Sequence, residues 1–450
     1  MKNVEKCFIL LTKRKIVRRI IYKDLLAWKN SHGRKPLLLQ GARQVGKTWL
    51  MQEFGKNEYK NAVYVNFEEA KTVSAYFDGD ISPPNIIKSL ETYYDTNISP
   101  TDTLIIFDEI QESERALNSL KYFYEKAPQY HIIAAGSFLG VATHGSFPVG
   151  KVDRLILYPM SFFEFLQGIG ENRYFQHIEN KDFGLIRTMA NDYERLLKTY
   201  YLVGGMPKAV ASYSERGDIR EVRTIQKAIL EDYHDDFSKH ITPPNTPKVS
   251  MIWNSIPVHL AREKKKFVYR DIVEGARAYA YEDAMNWLFK TRLVYKVSRV
   301  TDDKLPFAIH ATDREAFKLY MLDVGLFAAK AELDVTALFE GSPAVFCNFN
   351  GALTEQFVLQ ELITAGYTPY YWGREKGAAE VDFLIQWKNE VVPVEVKSGI
   401  RKKSKSLDVY LQLYNPPHTV RASLNNYSQN NGLYSVPLYM IALIGDLLGD

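Results

Sequence analysis

Short apolar runs alternate with longer amphipathic segments from about Pro36 to Pro159, which is the pattern of an α/β domain. Five of these runs predict strands, at residues 37–40, 62–67, 104–107, 132–135 and 155–158. The segment Glu114–Lys126 predicts a helix, because Leu117, Leu120 and Tyr124 fall on one of its faces. The order of these elements predicts a parallel sheet with helices packed against it.

The pattern changes twice beyond this domain. Residues 161–239 read as helical, with one interruption at Gly204-Gly205-Met206-Pro207, and a breaker cluster at 242–247 marks a boundary. Residues 251–300 contain short helical patterns and a strand at 293–297, and a helix at 354–365 is followed by further strands. We therefore predict four units, at residues 1–160, 161–245, 246–340 and 341–450.

The composition of the chain excludes several classes of protein. The chain has 450 residues, too many for one hydrophobic core, and its 46% apolar and 24% charged residues are typical of a soluble protein. No run approaches the roughly 20 apolar residues of a membrane span, and the first apolar run, at 8–11, is too short for a signal peptide. Cys7 and Cys347 are the only cysteines, which excludes a disulfide framework or a zinc cluster. The sequence predicts a cytoplasmic protein with no membrane partner.

A glycine-rich segment follows the first predicted strand and precedes a helical pattern. Gly41 and Gly46 let the loop bend so that its backbone N–H groups converge on phosphate oxygens. Lys47 is expected to reach the β- and γ-phosphates, and the Thr48 hydroxyl is expected to bind Mg²⁺. The segment matches the P-loop pattern in full and predicts a nucleotide site formed by Gly41, Ala42, Arg43, Gln44, Val45, Gly46, Lys47, Thr48 and Trp49.

Two adjacent acids follow the apolar strand at 104–107. Because ligands bind at the carboxyl edge of a parallel sheet, Asp108 and Glu109 should lie beside the P-loop. We expect Asp108 in the Mg²⁺ shell and Glu109 as the group that polarises the attacking water. The next strand ends at Ser137, which either contacts the γ-phosphate or serves as an ordinary turn residue.

A second group of charged residues lies on a predicted β-hairpin at residues 380–397. Glu395 and Lys397 are two apart on one strand and share a face, and Asp382 comes from the preceding strand. The arrangement resembles the PD-(D/E)xK nuclease core, which implies that the two acids hold a divalent metal and the lysine activates water. Glu355, on the helix before the hairpin, matches the extra acid of many such enzymes. A surface hairpin with a salt bridge is the alternative, since the bare (D/E)xK pattern recurs elsewhere in the chain.

Basic residues outnumber acidic ones between residues 262 and 299, although the whole chain carries a net charge of only +4. A helix at 281–290 followed by a strand suits a winged helix, and the basic excess favours a DNA-facing surface. A solvated face or a protein-docking winged helix fits the same pattern equally well.

Several segments together resemble a large prokaryotic family of AAA-type ATPases with a C-terminal domain of unassigned function. The resemblance implies an α/β protein with a P-loop ATPase core, a helical lid, a winged-helix-like segment and a restriction-endonuclease-like C-terminal domain. It also favours ATP over GTP, and an arginine finger from a neighbouring subunit would imply a homo-oligomer. Lys151 and Arg154 are the candidates, although many relatives have Arg where this chain has Lys151. The matching segments are 39–48, 107–111, Ala-Gly-Ser-Phe-Leu-Gly at 135–140, 157–166, 204–207 and 317–325.

Two functions follow from these expectations. The first is a Mg²⁺-dependent ATPase that acts on nucleic acid, with DNA favoured, through a C-terminal site that cleaves with a second divalent metal. The second is a nucleotide-dependent switch whose C-terminal domain binds DNA or a partner without cleavage.

Overall fold

The computed structural model describes residues 19–137, 148–310, 316–333, 346–374, 378–400 and 404–449. Cys7, the start of the unit predicted at 1–160 and residues 138–140 of the Ala-Gly-Ser-Phe-Leu-Gly segment lie outside these ranges. The N-terminal elements are α1 (Tyr22–Asn30), β1 (Leu37–Gln40), α2 (Lys47–Glu58), β2 (Asn61–Asn66), α3 (Lys71–Ser74), α4 (Pro83–Tyr94), β3 (Thr103–Asp108), α5 (Glu114–Lys126), β4 (His131–Gly136) and β5 (Asp153–Ile156).

Strands β1–β5 form one parallel sheet in the order β2-β3-β4-β1-β5. Alternate residues of β1 enter different cores: Leu37 and Leu39 pack on the side of α2, and Leu38 packs on the side of α4 and α5. Helix α5 has the predicted bounds, and the five predicted strands lie within two residues of theirs. Strand β5 begins two residues before the predicted start at 155, because its ladder with β1 pairs Asp153 with Leu37.

The region that reads as helical is helical throughout. It consists of α6 (Phe162–Gly168), α7 (Asn172–Glu179), α8 (Phe183–Thr188), α9 (Ala190–Val203), α10 (Pro207–Arg216) and α11 (Ile219–His240). A capping box begins α6, where the Ser161 and Glu164 side chains each accept a backbone N–H of the other residue. The predicted interruption separates α9 from α10, and the breaker cluster at 242–247 follows α11.

The next segment contains α12 (Thr246–Ala261), α13 (Glu282–Lys290), β6 (Val294–Val300), α14 (Phe307–His310), β7 (Phe317–Met321) and α15 (Val324–Lys330). The last contains α16 (Phe346–Thr364), β8 (Tyr370–Gly373), β9 (Glu380–Trp387), β10 (Glu390–Val396), α17 (Lys405–Tyr414), β11 (Thr419–Ser423), β12 (Ser428–Asn430), β13 (Leu433–Pro437) and α18 (Ile444–Gly449).

A single sheet joins these two segments. Its strand order is β12-β13-β11-β10-β9-β8-β6-β7. Strand β6 pairs antiparallel with β7 and parallel with β8, where Arg299 lies opposite Tyr371. The β6–β7 hairpin therefore extends the C-terminal sheet. A displacement of α13 or β6 would move that sheet as well.

A buried joint connects the helical region to the C-terminal segments. The Asp323 carboxylate accepts the backbone N–H of Gly205 at 2.6 Å and that of Leu326 at 2.9 Å. Gly204 has a φ of 70°, and a Cβ atom there would lie 2.2 Å from an Asp323 oxygen, so glycine is required. The joint fixes the break between α9 and α10 against the start of α15.

Helix α16 contacts the start of α6 through a buried acid, and we expect this contact to depend on pH. The Glu361 carboxylate accepts the N–H of Phe162 at 2.9 Å. Burial raises the pKa of Glu361 to about 8; the Phe162 N–H opposes the shift, and Glu164 adds to it. Between the ordinary glutamate pKa of about 4.3 and this value, the folded state binds more protons than the unfolded state, so stability falls as pH rises.

Glu361→Gln should remove this dependence, because the amide oxygen can accept the same N–H without ionising. The melting temperature of the variant relative to wild type should rise between about pH 5 and about pH 9, by a few °C. Thermal unfolding at both pH values checks this, with Glu194→Gln as a control at a half-exposed helix pair with Lys198. A constant difference across that range would contradict the assignment.

None of the helices in the described ranges combines the length and the apolar character needed to span a bilayer.

Candidate active sites

The P-loop follows β1 and turns directly into α2. Gly46 caps that helix with a φ of 97°, and a Cβ atom on Gly41 would lie 2.4 Å from the Leu157 carbonyl oxygen. Both positions therefore require glycine. The first N–H groups of α2 have no partner within the helix, so its N-terminus is suited to phosphate oxygens.

Lys47 is buried beneath this loop, with its ammonium group near the carboxyl ends of β1 and β4. It donates to the carbonyls of Gly41 at 3.0 Å and Ala42 at 2.8 Å, and to the Ser137 hydroxyl at 2.9 Å. Burial lowers the pKa of Lys47 to about 8, against the opposing effect of the Glu109 and Asp108 carboxylates. The structure thus brings together the lysine and the serine that the sequence singled out.

Thr48 and Asp108 meet at the carboxyl edge of the sheet. The Thr48 hydroxyl donates to Asp108 Oδ2 at 2.6 Å, and the Tyr64 hydroxyl donates to the same oxygen at 2.9 Å. Burial raises the pKa of Asp108, although the Thr48 hydrogen bond opposes the shift. A hydroxyl and a carboxylate side by side are the two protein ligands that a P-loop Mg²⁺ site uses.

Glu109 adopts a left-handed backbone conformation, with φ 48° and ψ 43°, directly after β3. This conformation is uncommon for a glutamate and is stabilised only by surrounding contacts. Gln111 donates to Glu109 Oε2 at 2.7 Å and so orients the carboxylate. Gln111 lies two residues after Glu109, but the strand pattern alone does not predict that it contacts the carboxylate.

Helix α11 lies across the P-loop and contacts two of its side chains. Arg43 donates to Asp236 at 2.6 Å, and Gln44 donates to Asp232 at 2.6 Å. Between these acids, the Tyr233 hydroxyl donates to the Arg43 carbonyl at 2.8 Å. A movement of α11 would therefore pull on the loop that is predicted to hold the phosphates.

The two arginine-finger candidates lie elsewhere. Lys151 pairs with Glu125 at 3.1 Å. Arg154 lies on the edge strand β5 and lines a groove of about 310 Å³ together with Arg19 and Ile363.

Arg19, which the sequence did not single out, supports the P-loop from the outside. It donates to the Val45 carbonyl at 3.0 Å and to the Tyr158 carbonyl at 2.6 Å, and it pairs with Glu164 at 2.9 Å.

The C-terminal site lies on the antiparallel strands β9 and β10. Asp382 Oδ2 accepts the Val396 N–H at 2.8 Å. Lys397 donates to Glu395 Oε1 at 2.5 Å, and the Ser404 hydroxyl donates to the same oxygen at 2.6 Å. Within the described residues, the buried Glu395 Oε2 has no hydrogen-bond partner, and such an atom is suited to binding a ligand. Burial, with the Glu395 and Glu355 carboxylates, raises the pKa of Asp382.

Glu355 lies on α16 and is enclosed by cations. The Lys318 ammonium donates to Glu355 Oε1 at 3.0 Å, the Tyr320 hydroxyl donates to it at 2.7 Å, and Lys265 contacts the second oxygen. Burial alone would raise the pKa of Glu355, but Lys265 and Lys318 more than offset that effect and lower it. This pairing could not be predicted from the sequence, because Lys265 belongs to a basic run and Lys318 to an apolar strand.

Metal binding fits the first site better than the second. In the described part of the chain, no three His, Cys, Asp or Glu side chains are grouped so that they could hold a metal ion. The P-loop site needs only Thr48 and Asp108, because phosphate oxygens and water complete the Mg²⁺ shell. The C-terminal site lacks its third acid, since Glu355 is neutralised by two lysines.

The basic segment is divided between structural pairs and an exposed loop. Helix α13 exposes Glu282, Asp283, Asn286 and Lys290, so its outer face is not basic. Exposed cations lie instead between α12 and α13, where the Tyr279 side chain is 74% exposed. These cations are Lys264, Lys266, Arg270 and Arg277.

The fold and the first site define a nucleotide-binding P-loop domain, with a parallel sheet and an acidic pair after β3. Residues 33–166 match the family model described as an AAA domain, which confirms the prediction of an AAA-type P-loop ATPase domain. Residues 194–337 and 350–441 each match a domain of unknown function, DUF8612 and DUF4143 respectively.

Comparison with solved structures gives distant likenesses. The Walker-type ATPase PABY2304 of Pyrococcus abyssi is 15% identical, with 70% of this chain and 96% of that chain covered and a TM-score of 0.44. A RuvB variant of Thermotoga maritima is 13% identical, with 61% and 88% covered and a TM-score of 0.29. Drosophila ORC bound to DNA is 13% identical, with 66% and 89% covered and a TM-score of 0.25. No curated protein sequence matches the chain. The AAA-domain match, together with the geometry, is what assigns the class.

Proposed function

We propose that the protein binds and hydrolyses ATP with Mg²⁺ at the P-loop. The observation that carries this proposal is the 2.6 Å hydrogen bond between the Thr48 hydroxyl and Asp108, which puts both protein ligands of the metal side by side. Backbone N–H groups from Gly41 to Trp49 and the Lys47 ammonium would bind the phosphates. Mg²⁺, when bound, supplies charge neutralisation on the phosphate oxygens.

Glu109 is the proposed general base. Water attacks the γ-phosphorus and transfers a proton to the Glu109 carboxylate while the bond to the β-phosphate oxygen breaks. The electron pair of that bond leaves with ADP, and the products are ADP and inorganic phosphate. Ser137 contacts Lys47 and would hold the ammonium group toward the γ-phosphate.

Lys47→Ala should abolish this activity, because the phosphates lose their buried cation. We expect ATP turnover to fall by at least about 100-fold and ATP affinity to weaken as well. Phosphate release and equilibrium binding of a fluorescent ATP analogue check both effects. Lys60→Ala is the matched control, since that lysine is exposed and pairs with Asp102 in a surface contact. Turnover that survives Lys47→Ala would rule out the P-loop as its source.

We further propose that ATP turnover acts on nucleic acid through the C-terminal, nuclease-like domain, with DNA as the favoured partner. Asp382 and the Glu395 oxygen that lacks a partner among the described residues support a cation-binding surface there, and the adjacent Lys397 supports contact with phosphate. Between α12 and α13, the exposed cations supply positive charge for the DNA backbone, and Tyr279 supplies a surface on which a base can stack.

A non-cleaving switch is the second candidate, and the ion pairs of Glu355 favour it. Lys265 and Lys318 neutralise Glu355, the acid that would complete a metal site, and this arrangement favours binding without cleavage. In this candidate the winged-helix-like segment and the C-terminal domain bind DNA or a protein, and ATP shifts the population of conformations.

Plasmid DNA incubated with the protein, ATP and either Mg²⁺ or Mn²⁺ separates the two candidates. From the placement of Lys265 and Lys318 we expect DNA binding without strand cleavage, with an affinity that changes between ATP and ADP. Lys266→Ala with Arg270→Ala should weaken that binding and its salt dependence, whereas Asp382→Ala should not. Cleavage by wild type that disappears in Asp382→Ala, with ATP turnover retained, would establish the nuclease instead.

A further inference from the structure

Arg292 occupies a strained corner between α13 and β6. Its φ is 61°, in the left-handed region where glycine is the usual residue at a helix end. The corner is closed by the hydrogen bond from the Leu293 N–H to the Leu288 carbonyl at 3.2 Å, and the Leu322 N–H donates to the Leu293 carbonyl. Because a bulky side chain occupies a position where glycine would relieve strain, that side chain is a candidate for a functional role.

The side chain of Arg292 points to the P-loop. Its Nη2 donates to Gln40 Oε1 at 3.3 Å, and Gln40 is the last residue of β1, directly before Gly41. Residues 290–292 and the ends of β1 and β4 enclose a narrow cleft that also includes Gly41 and Ser137. Lys47 contacts those same two residues. Two cations from distant parts of the chain therefore flank the first P-loop glycine.

Three other cations within residues 1–160 are held by carboxylates. Arg43 pairs with Asp236, Arg19 pairs with Glu164, and Lys151 pairs with Glu125. Arg292 instead donates to the neutral amide of Gln40, a contact that a phosphate oxygen could replace without leaving a buried carboxylate unpaired. Of these cations, Arg292 is thus the one best able to change its partner.

We propose that Arg292 contacts the γ-phosphate of ATP and stabilises the charge that develops on it during hydrolysis. This inference rests on the proposed ATPase function. It places the arginine that contacts the γ-phosphate in the same chain and not in a neighbouring subunit. Since β6 begins two residues after Arg292 and belongs to the eight-stranded sheet, loss of the γ-phosphate would be transmitted to the C-terminal domain.

The test uses the full-length chain with Arg292→Gly, which keeps the left-handed backbone and removes the guanidinium. Arg292→Lys keeps a charge without the planar fork, and Arg187→Gly is the control at an exposed arginine outside the proposed sites. Turnover of Arg292→Gly should fall on the order of 10³-fold. Affinity for ATPγS should fall about tenfold while affinity for ADP stays unchanged, because only the γ-phosphate loses a contact.

Mixing Arg292→Gly with Lys47→Ala distinguishes action within a chain from action between subunits. Arg292 acting within its own chain predicts no recovery of turnover in the mixture, and recovery would overturn the proposal. Unchanged turnover and unchanged ATPγS affinity in Arg292→Gly would overturn it as well. If wild type itself binds ATPγS but does not hydrolyse ATP, the ATPase proposal fails, and the selective loss of ATPγS affinity still decides the role of Arg292.

Discussion

Glu109→Gln is expected to lower ATP turnover by about 10²–10⁴-fold and to leave ATP binding intact. The amide has the same size as the carboxylate and can still accept the hydrogen bond from Gln111, but it cannot take the proton of the attacking water. The left-handed backbone of Glu109 is unaffected by this change, so the variant should fold normally. Phosphate release measured beside binding of a fluorescent ATP analogue gives both quantities.

Two further variants make this result specific. Glu112→Gln changes an exposed acid on the same turn and should retain full turnover. Asp108→Asn should instead raise the Mg²⁺ concentration that turnover requires, because Asp108 Oδ2 accepts hydrogen bonds from Thr48 and Tyr64 in the place proposed for the metal. Wild-type turnover in Glu109→Gln would mean that another group accepts the proton.

The nucleotide site could be predicted from the sequence because each of its parts is local. Gly41 to Thr48 follow an apolar strand and begin a helix, and Asp108 and Glu109 end another apolar strand. Parallel pairing then brings both strand ends to one edge, whatever the rest of the chain does. The 2.6 Å contact between Thr48 and Asp108 is the direct outcome of that rule.

Contacts between distant segments could not be predicted in this way. Arg292 and Gln40 are 252 residues apart, and no periodic pattern connects them. The parallel pairing of β6 with β8 likewise depends on tertiary packing, because either strand alone fits a separate hairpin. Lys318 lies within the otherwise apolar strand Phe317–Met321, and only the fold shows that it contacts a buried acid.

Lys318 is the centre of the buried charge cluster at the C-terminal site. Its side chain is fully buried and pairs with Glu355 at 3.0 Å and with Glu380 at 2.6 Å. Burial by itself would lower the pKa of Lys318, but Glu355 and the neighbouring groups raise it well above its ordinary value. The lysine is therefore held charged, and its removal would leave Glu355 with Lys265 as its remaining cation.

Lys318→Met should be one of the most destabilising single changes in the chain. Methionine fills a similar volume but leaves a buried carboxylate without this partner, which costs about 3–5 kcal/mol of unfolding free energy. The midpoint of urea unfolding, followed by circular dichroism, measures the loss. Lys60→Met, which breaks the exposed pair with Asp102, is the control and should change stability by less than about 1 kcal/mol.

Adding Glu355→Gln to Lys318→Met should restore part of the lost stability, because the amide carries no charge to bury. The two changes are then non-additive, as expected for residues in direct contact. Two outcomes would show that the ion pair does not stabilise the cluster. In the first, Lys318→Met is as stable as Lys60→Met. In the second, adding Glu355→Gln to Lys318→Met lowers the free energy of unfolding further, by as much as Glu355→Gln does alone. In that case Glu355 would be free to bind a metal beside Asp382 and Glu395, and the nuclease candidate would gain over the switch.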